Sequence, residues 1–157
     1  MITLLDNTVM SNFAVVERPD LLRIAFDDQL ATSRQAFDEL TTGVRRGKLP
    51  DLDWSWLPIW SLQAEEPLRY NQLLSNLNVG EAACLAMALY RGCQIVTDDR
   101  DARELAHQLQ IPLTGTLGTL IRLVDIGSLN PDKADLLLKR MIAARFRSPV
   151  LSLRELL

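Results

Sequence analysis

The sequence is poor in the residues that build disulfide frameworks and zinc sites. Among 157 residues there are two cysteines, Cys84 and Cys93, and one histidine, His107. The cysteines lack the paired spacing of a zinc site, and a single histidine cannot complete one, so zinc ligation has no support. Both cysteines lie in apolar stretches, which predicts buried, reduced thiols.

Long apolar runs, repeats and flexible linkers are also missing. No apolar run approaches the roughly 20 residues of a membrane span. The opening "MITLLDNTV" has no basic segment before its apolar residues, so we expect no secretion signal, a cytoplasmic location and no membrane partner. Without a Gly/Ser linker or repeat, we expect residues 1–157 to form one domain. A net charge of −3 argues against non-specific coating of nucleic acid but allows local basic patches.

The composition, 48% apolar and 24% charged, is typical of a globular protein. Short apolar runs alternate with segments of helical periodicity, which predicts a mainly parallel sheet covered by helices on both faces, an α/β sandwich. The predicted strands are 2–5, 93–96 and 111–113, with 54–62 as a strand or irregular edge. The predicted helices are 9–16, 20–26, 64–77, 80–90, 101–109, 116–126 and 131–146. A further helix is predicted to begin at residue 33 and to end between residues 43 and 47.

Acidic residues occur at four places beside apolar structure. Asp6 follows the first strand, and Asp98 and Asp99 follow the strand that ends at Val96. Glu81 lies in the first turn of a helix that is apolar on nearly all sides, and Glu39 borders the apolar face of another helix. Each has a purely structural alternative: a turn or helix cap for the aspartates, a helix-dipole contact for Glu81 and plain solvation for Glu39.

Considered together, these acids predict a metal site. Ligands of parallel sheets bind outside the carboxyl ends of the strands. The aspartates lie at these ends, because each comes shortly after a predicted strand. Carboxylates converging there would repel one another unless a cation neutralised them. Hard divalent ions with oxygen ligands suit this need, so we expect Mg²⁺ or Mn²⁺.

The ordered set of acidic motifs resembles that of the PIN-domain ribonucleases, which include toxins of the virulence-associated-protein-C type. In that family a first strand is followed by Asp and, two residues on, Ser or Thr, as in "LLDNTVMSN". The second acid of the family is a Glu within a helix, which "AFDEL" supplies here as Glu39. The third acid begins an Ala-rich helix, which "NVGEAACLAMAL" supplies as Glu81. The last acid follows a strand in a pattern like T-x-D-x-D, which "IVTDDRDAR" supplies as Asp99. The resemblance runs from Ile2 to about Ile126. Within the family, the pair "GEAACLAMAL" and "TDDRDAR" resembles a particular PIN-like branch that is common in prokaryotes.

The resemblance implies a PIN-like three-layer α/β/α sandwich and metal-dependent hydrolysis of RNA. Asp6, Glu81 and Asp99 would hold one or two divalent ions, and Glu39 would complete the catalytic set and help orient the attacking water. Thr8 would hydrogen-bond Asp6 or a metal-bound water.

Two features of the motifs leave ligand roles open. Many family members carry Asp at the position of Glu81, and the longer side chain keeps the charge but shifts the metal geometry. Either Asp98 or Asp99 could contact the metal; the motif favours Asp99 and leaves Asp98 in a supporting position.

Basic residues near the acids are candidates for binding RNA. Arg45 and Arg46 follow the Glu39 helix, and Arg100 follows the terminal aspartates. The resemblance also implies a homodimer and, for toxin members, a small antitoxin protein that covers the site.

Two rival functions differ in what they require. A phosphatase of the haloacid-dehalogenase type needs Asp-x-Asp after the first strand, whereas Asp6 is followed by Asn7 and Thr8. A catalytically silent PIN-like module would bind a metal or a partner without cleaving RNA, and a metal-dependent change in melting temperature without cleavage would favour it.

Overall fold

A single all-parallel sheet of five short strands forms the centre of the molecule. The computed structural model describes all 157 residues, and the strand order is β3-β2-β1-β4-β5. The strands are β1 (Thr3–Leu5), β2 (Leu30–Ser33), β3 (Ile59–Trp60), β4 (Gln94–Val96) and β5 (Leu113–Thr114). Every pairing is parallel, so all carboxyl ends meet at one edge.

Eight helices complete a three-layer α/β/α sandwich, which confirms the predicted PIN-like fold class. They are α1 (Asn7–Val15), α2 (Asp20–Ala25), α3 (Arg34–Arg45), α4 (Glu66–Leu73), α5 (Val79–Arg91), α6 (Arg100–Gln108), α7 (Thr116–Asp125) and α8 (Pro131–Ala143), followed by a short 3-10 helix (Leu153–Glu155). No helix combines the length and apolarity needed to cross a bilayer.

Helix α5 is the most deeply buried helix. Residues 80–88 are all buried because α5 packs between α3, α4 and the sheet, as its apolar sequence predicts. Gly92 ends it in the left-handed conformation at φ 67°, a backbone shape that costs glycine little. Cys84 and Cys93 are free and buried, which confirms the predicted thiols.

The observed elements differ from the predicted ones in several places. Helix α1 begins two residues earlier than predicted, and α8 ends three residues earlier. Strand β2 was not predicted, because its four residues "LATS" are too few and too polar to show a pattern. Strand β5 begins two residues later and ends one residue later than predicted. Pro112 has no N–H to donate and contributes only its carbonyl, which accepts from Ile95 N, so the strand starts after it. Helix α4 is shorter at both ends than the predicted 64–77.

The central position of β1 determines where the predicted site lies. Leu5 pairs with Thr32 of β2 on one side and Val96 of β4 on the other. The Asp6 amide then continues the ladder by donating to Val96 O at 3.0 Å. Residues that follow β1, β2 and β4 are therefore adjacent at the carboxyl edge.

Candidate functional site

Asp6 is the most deeply buried acid of the site, with only 1% of its surface exposed. It occupies the N-cap position of α1, but its side chain makes no capping hydrogen bond. Instead, Oδ2 accepts from Thr8 Oγ1 at 3.0 Å and from Thr97 Oγ1 at 2.9 Å. Burial raises the pKa of Asp6, and these hydroxyl groups offset part of the shift because they favour the charged form. The carboxylate is thus oriented, with Oδ1 not engaged by either threonine.

Glu39 projects from the middle of α3 towards the N terminus of α5. Its Oε1 is buried and has no hydrogen-bond partner. Burial and the nearby Asp6 charge raise the pKa of Glu39 to about 7. The close approach depends on Gly80, because a Cβ there would lie 1.9 Å from Glu39 Oε1 and 3.1 Å from the Ala36 Cα.

Glu81 lies in the first turn of α5 and is 4% exposed. It forms a capping box with Asn78: Glu81 N donates to Asn78 Oδ1 at 3.0 Å, and Asn78 N donates to Glu81 Oε2 at 3.3 Å. In addition, Asn78 Nδ2 donates to Glu81 Oε1 at 3.1 Å. Burial, followed by the charges of Asp6 and Asp99, raises the pKa of Glu81 to about 8. Glu81 therefore has the structural role of a helix cap, and its pKa is also raised by the charges of three other acids, Asp6, Asp99 and Glu39.

Asp98 and Asp99 point to different surroundings. Asp98 is held by protein donors: Thr116 N at 2.9 Å to Oδ1, and the Thr116 hydroxyl and Asn12 Nδ2 to Oδ2. Asp99 caps α6 by accepting from Ala102 N at 2.9 Å, and its charge acts on Glu81. Asp98 thus connects β4 to α7 and α1, whereas Asp99 is close enough to Glu81 for its charge to raise the pKa of that carboxyl group.

The chemistry of the donor set suits a hard divalent cation, whereas its spacing does not yet form a coordination site. The set consists of carboxylate oxygens, and none of the ion pairs in the structure involves Asp6, Glu39 or Glu81. Burial is the main cause of the raised pKa values of Glu39 and Glu81, the charge of Asp6 adds to both shifts, and a bound cation would oppose them. No three candidate ligands come close enough to coordinate one ion as they stand. Glu81 and Asp99 are engaged at helix N termini, so an ion would have to draw them away.

A cysteine nucleophile is excluded at this edge. The Cys84 thiol lies among Leu5 O and Ser33 Oγ, with hydrogen-bond distances of 3.7 and 3.5 Å. Burial and the Asp6 charge raise the pKa of Cys84 to about 12, so the thiol stays neutral.

Two open grooves with basic rims flank the acids. One, of about 490 Å³, runs along α3 beside Glu39 and carries Arg46 and Lys48. The other, of about 910 Å³, lies beside Asp98. Its basic lining residues are Arg100, Arg103, His107 and Arg147. Arg45 lines neither groove: it is exposed, and its Nη2 donates to Thr42 Oγ1 at 3.2 Å.

Sequence reasoning missed several residues that shape the acids. Thr97 directly follows β4 and therefore lies beside Asp6 across the β1–β4 pair, which the strand register could have indicated. Asn78 and Glu81 form the N-x-x-E signature of a capping box, which the sequence displays. Gly80 and Asn12 had no such signal, because their importance comes from contacts between distant segments.

Comparison with known families agrees with this geometry. A family model described as "PIN domain" matches residues 2–157, nearly the whole chain. A search among curated proteins finds no match. The match covers nearly the whole chain, and it agrees with the all-parallel five-stranded sheet and with the acids at its carboxyl edge. The chain belongs to the PIN-domain family.

Proposed function

We propose that this protein is a metal-dependent endoribonuclease that hydrolyses phosphodiester bonds of RNA, and that it is the toxin of a type II toxin–antitoxin pair. One observation carries the nuclease proposal: at the carboxyl edge of a PIN fold, Asp6 after β1 raises the pKa values of Glu39 on α3 and Glu81 on α5, and none of the three forms an ion pair.

PIN domains are generally nucleases, act on nucleic acid and typically use divalent metals. In this chain Asp6, Glu81 and Asp99 would hold one or two Mg²⁺ or Mn²⁺ ions. When bound, such ions supply a hydroxide nucleophile near neutral pH and neutralise charge that develops on the phosphorus. Thr8 and Thr97 orient the Asp6 carboxylate through its Oδ2.

Glu39 is suited to hold and move a proton. Its pKa of about 7 lies near the working pH, the condition under which a carboxyl group both accepts and returns a proton efficiently. Its buried, unpartnered Oε1 is the atom that would accept the proton of the attacking water. Glu39 therefore acts as the general base in this proposal.

The basic grooves supply a path for the RNA chain. Arg46 and Lys48 lie on the α3 side of the acids, and Arg100 on the β4 side, so phosphates can be held on both sides of the cleaved bond. Arg45, the last residue of α3, is exposed and would contribute from outside the grooves. Asp98 supports this side by fixing Thr116 rather than by binding metal.

The test is cleavage of a mixed pool of structured RNAs in the presence of Mn²⁺, Mg²⁺ or EDTA. We expect internal cleavage with metal, none with EDTA, and a loss exceeding about a hundredfold in Asp6→Asn, since loss of groups that only support a ligand already costs 10–100-fold. Absence of cleavage by folded protein at high concentration would contradict the proposal. Equal cleavage by Asp6→Asn, purified identically, would trace the activity to a contaminant.

The engaged state of Glu81 and Asp99 favours a second candidate, a catalytically silent module that binds a metal or a partner. Mn²⁺ that raises the melting temperature without RNA cleavage would support this candidate. Mn²⁺-dependent cleavage would reject it.

The family resemblance supports three further parts of the proposal: that the protein is a toxin, that a small antitoxin protein binds it, and that it forms a homodimer. We expect expression of the protein to arrest growth and Asp6→Asn to relieve the arrest, and we expect sedimentation to give twice the 17.7 kDa chain mass. A growth-neutral, active nuclease would separate the toxin role from the chemistry, and a monomer would reject the dimer.

A further inference from the structure

Unsatisfied polar atoms are concentrated in the groove beside α3. Three buried side-chain atoms in the chain have no hydrogen-bond partner: Gln35 Oε1, Glu39 Oε1 and Trp54 Nε1. Gln35 and Glu39 both line the 490 Å³ groove. Buried polar groups without partners are rare and costly in folded proteins, and a small rotation of the Gln35 side chain would bring its oxygen to a ligand in the groove.

The two oxygens need different partners. The charged Glu39 belongs to the acid cluster, and the proposed metal chemistry accounts for it. Gln35 lies one helical turn earlier on α3, at the i, i+4 spacing that places it on the same face. Its neutral amide oxygen is a weaker ligand for Mg²⁺ than the carboxylates nearby, but it accepts a hydrogen bond from any N–H or O–H donor.

The groove is polar, is lined by both acidic and basic side chains, and is large enough for a nucleotide. Its volume of about 490 Å³ falls within the range of small-molecule pockets. Tyr70 offers an aromatic side chain, and Arg46 and Lys48 lie at the basic end. A base can stack on a tyrosine while its phosphate meets a cation.

We propose that this groove binds the nucleotide next to the cleaved bond, and that Gln35 Oε1 accepts a hydrogen bond from it. This inference rests on the proposed nuclease function and makes Gln35 a specificity-determining residue. A nucleotide offers two suitable donors: the ribose 2′-hydroxyl, which distinguishes RNA from DNA, and an exocyclic amine of the base, which cytosine carries and uracil lacks.

The test compares Gln35→Met with a matched control, Gln29→Met. Methionine is close to glutamine in length but accepts no strong hydrogen bond. Gln35→Met should keep or raise Tm, since it removes an unpartnered buried oxygen. Gln29 is exposed and precedes β2 at the opposite edge of the sheet, so its replacement should leave cleavage unchanged.

Three oligonucleotides with one mapped cleavage site identify the donor. One is all-ribose with cytidine beside the cleaved bond, one has 2′-deoxycytidine there, and one has uridine there. We expect wild type to cut the all-ribose cytidine strand about tenfold better in kcat/KM than one of the other two, and Gln35→Met to abolish that preference. Loss of the 2′-deoxy preference identifies the hydroxyl, and loss of the uridine preference identifies the amine.

Binding separates failure of this site from failure of the nuclease proposal. The same oligonucleotides, fluorescently labelled, are titrated with Asp6→Asn and with Asp6→Asn/Gln35→Met in EDTA. Weaker binding in the double variant supports the subsite even if wild type cuts no RNA. Equal affinities, together with unchanged preferences in any cleavage by Gln35→Met, would overturn it.

Discussion

Asp6 illustrates how single residues create the acidic site. A carboxylate that is 1% exposed normally needs a cationic partner, yet the donors at Asp6 are uncharged: the hydroxyl groups of Thr8 and Thr97 and the backbone N–H groups of Asn7 and Thr8. Such donors orient a carboxylate without neutralising it. Under the proposed function, this arrangement would leave Asp6 available to a metal ion while fixing the direction of its oxygens.

Replacing these hydroxyl groups should weaken metal binding. In Thr8→Val or Thr97→Val, Asp6 Oδ2 loses one donor, and we expect roughly tenfold lower Mn²⁺ affinity by titration calorimetry. Thr119→Val is the matched control, since its buried hydroxyl donates only to Gly115 O within α7. Equal affinities in all three variants would show that the threonines serve folding alone.

Gly80→Ala tests the contact between Glu39 and α5. Alanine is the better helix former by about 1 kcal/mol, so substitution in an open helix would stabilise the protein. Here the new Cβ would overlap Glu39 Oε1, and we expect a lower Tm and at least tenfold slower RNA cleavage.

A double variant identifies the cause of that loss. Adding Glu39→Ala to Gly80→Ala removes the overlapping carboxylate, so the double variant should recover part of the Tm that the single variant loses. Activity should stay low because the proposed base is gone. A double variant no more stable than additivity predicts would mean that the contact with Ala36 dominates.

At the level of elements, two helix N termini hold acids that a metal ion would need. Helix α5 engages Glu81 through Asn78, and α6 engages Asp99 through Ala102 N. Each cap stabilises the protein and would compete with metal coordination. Under the proposed function, metal binding and helix capping are therefore linked.

Asn78→Ala should lower stability and strengthen metal binding. Loss of the N-cap costs about 1 kcal/mol in a chemical denaturation experiment. Loss of the bond from Asn78 Nδ2 releases one oxygen of Glu81, so we expect several-fold tighter Mn²⁺ binding. Asn130→Ala removes a similar cap from α8 and should lower stability without affecting Mn²⁺. Weaker Mn²⁺ binding in Asn78→Ala would mean that Asn78 orients Glu81 for the ion.

Elements with strong periodicity or long apolar runs could be predicted from the sequence, and short ones could not. The apolar pattern of α5 and the buried runs of β1 and β4 were sufficient. Strand β2 has four residues, and its place in the sheet depends on pairing with β1, which local sequence does not encode. The acids could be selected because they follow strands or head a helix. Gln35 could not, because its unpartnered oxygen depends on the walls of the groove.

At the scale of the whole molecule, acidic side chains lie at the carboxyl edge of the sheet, and basic side chains lie in the grooves on both sides of them. The chain has 20 acidic and 17 basic side chains, yet the grooves on either side of the acids carry arginine and lysine. Net charge therefore underestimates the affinity that one face can have for phosphates. We expect RNA binding to weaken steeply with salt, because phosphate contacts release counterions.

The raised pKa values of Glu39 and Glu81 predict how the stability of the metal-free protein depends on pH. The pKa values rise from 4.5 to about 7 and about 8, so between pH 4.5 and 8 the folded state binds more protons than the unfolded state. The stability that these two groups contribute is thus fully present below pH 4.5 and is lost as pH rises through 7 and 8.

In EDTA, we expect the Tm of the protein to fall by a few degrees between pH 4.5 and 8. Saturating Mn²⁺ should raise Tm more at pH 8 than at pH 5.5, because binding requires the charged carboxylates. Glu39→Gln/Glu81→Gln is the control and should flatten both dependences, and an unchanged pH profile in that variant would assign the effect to other groups.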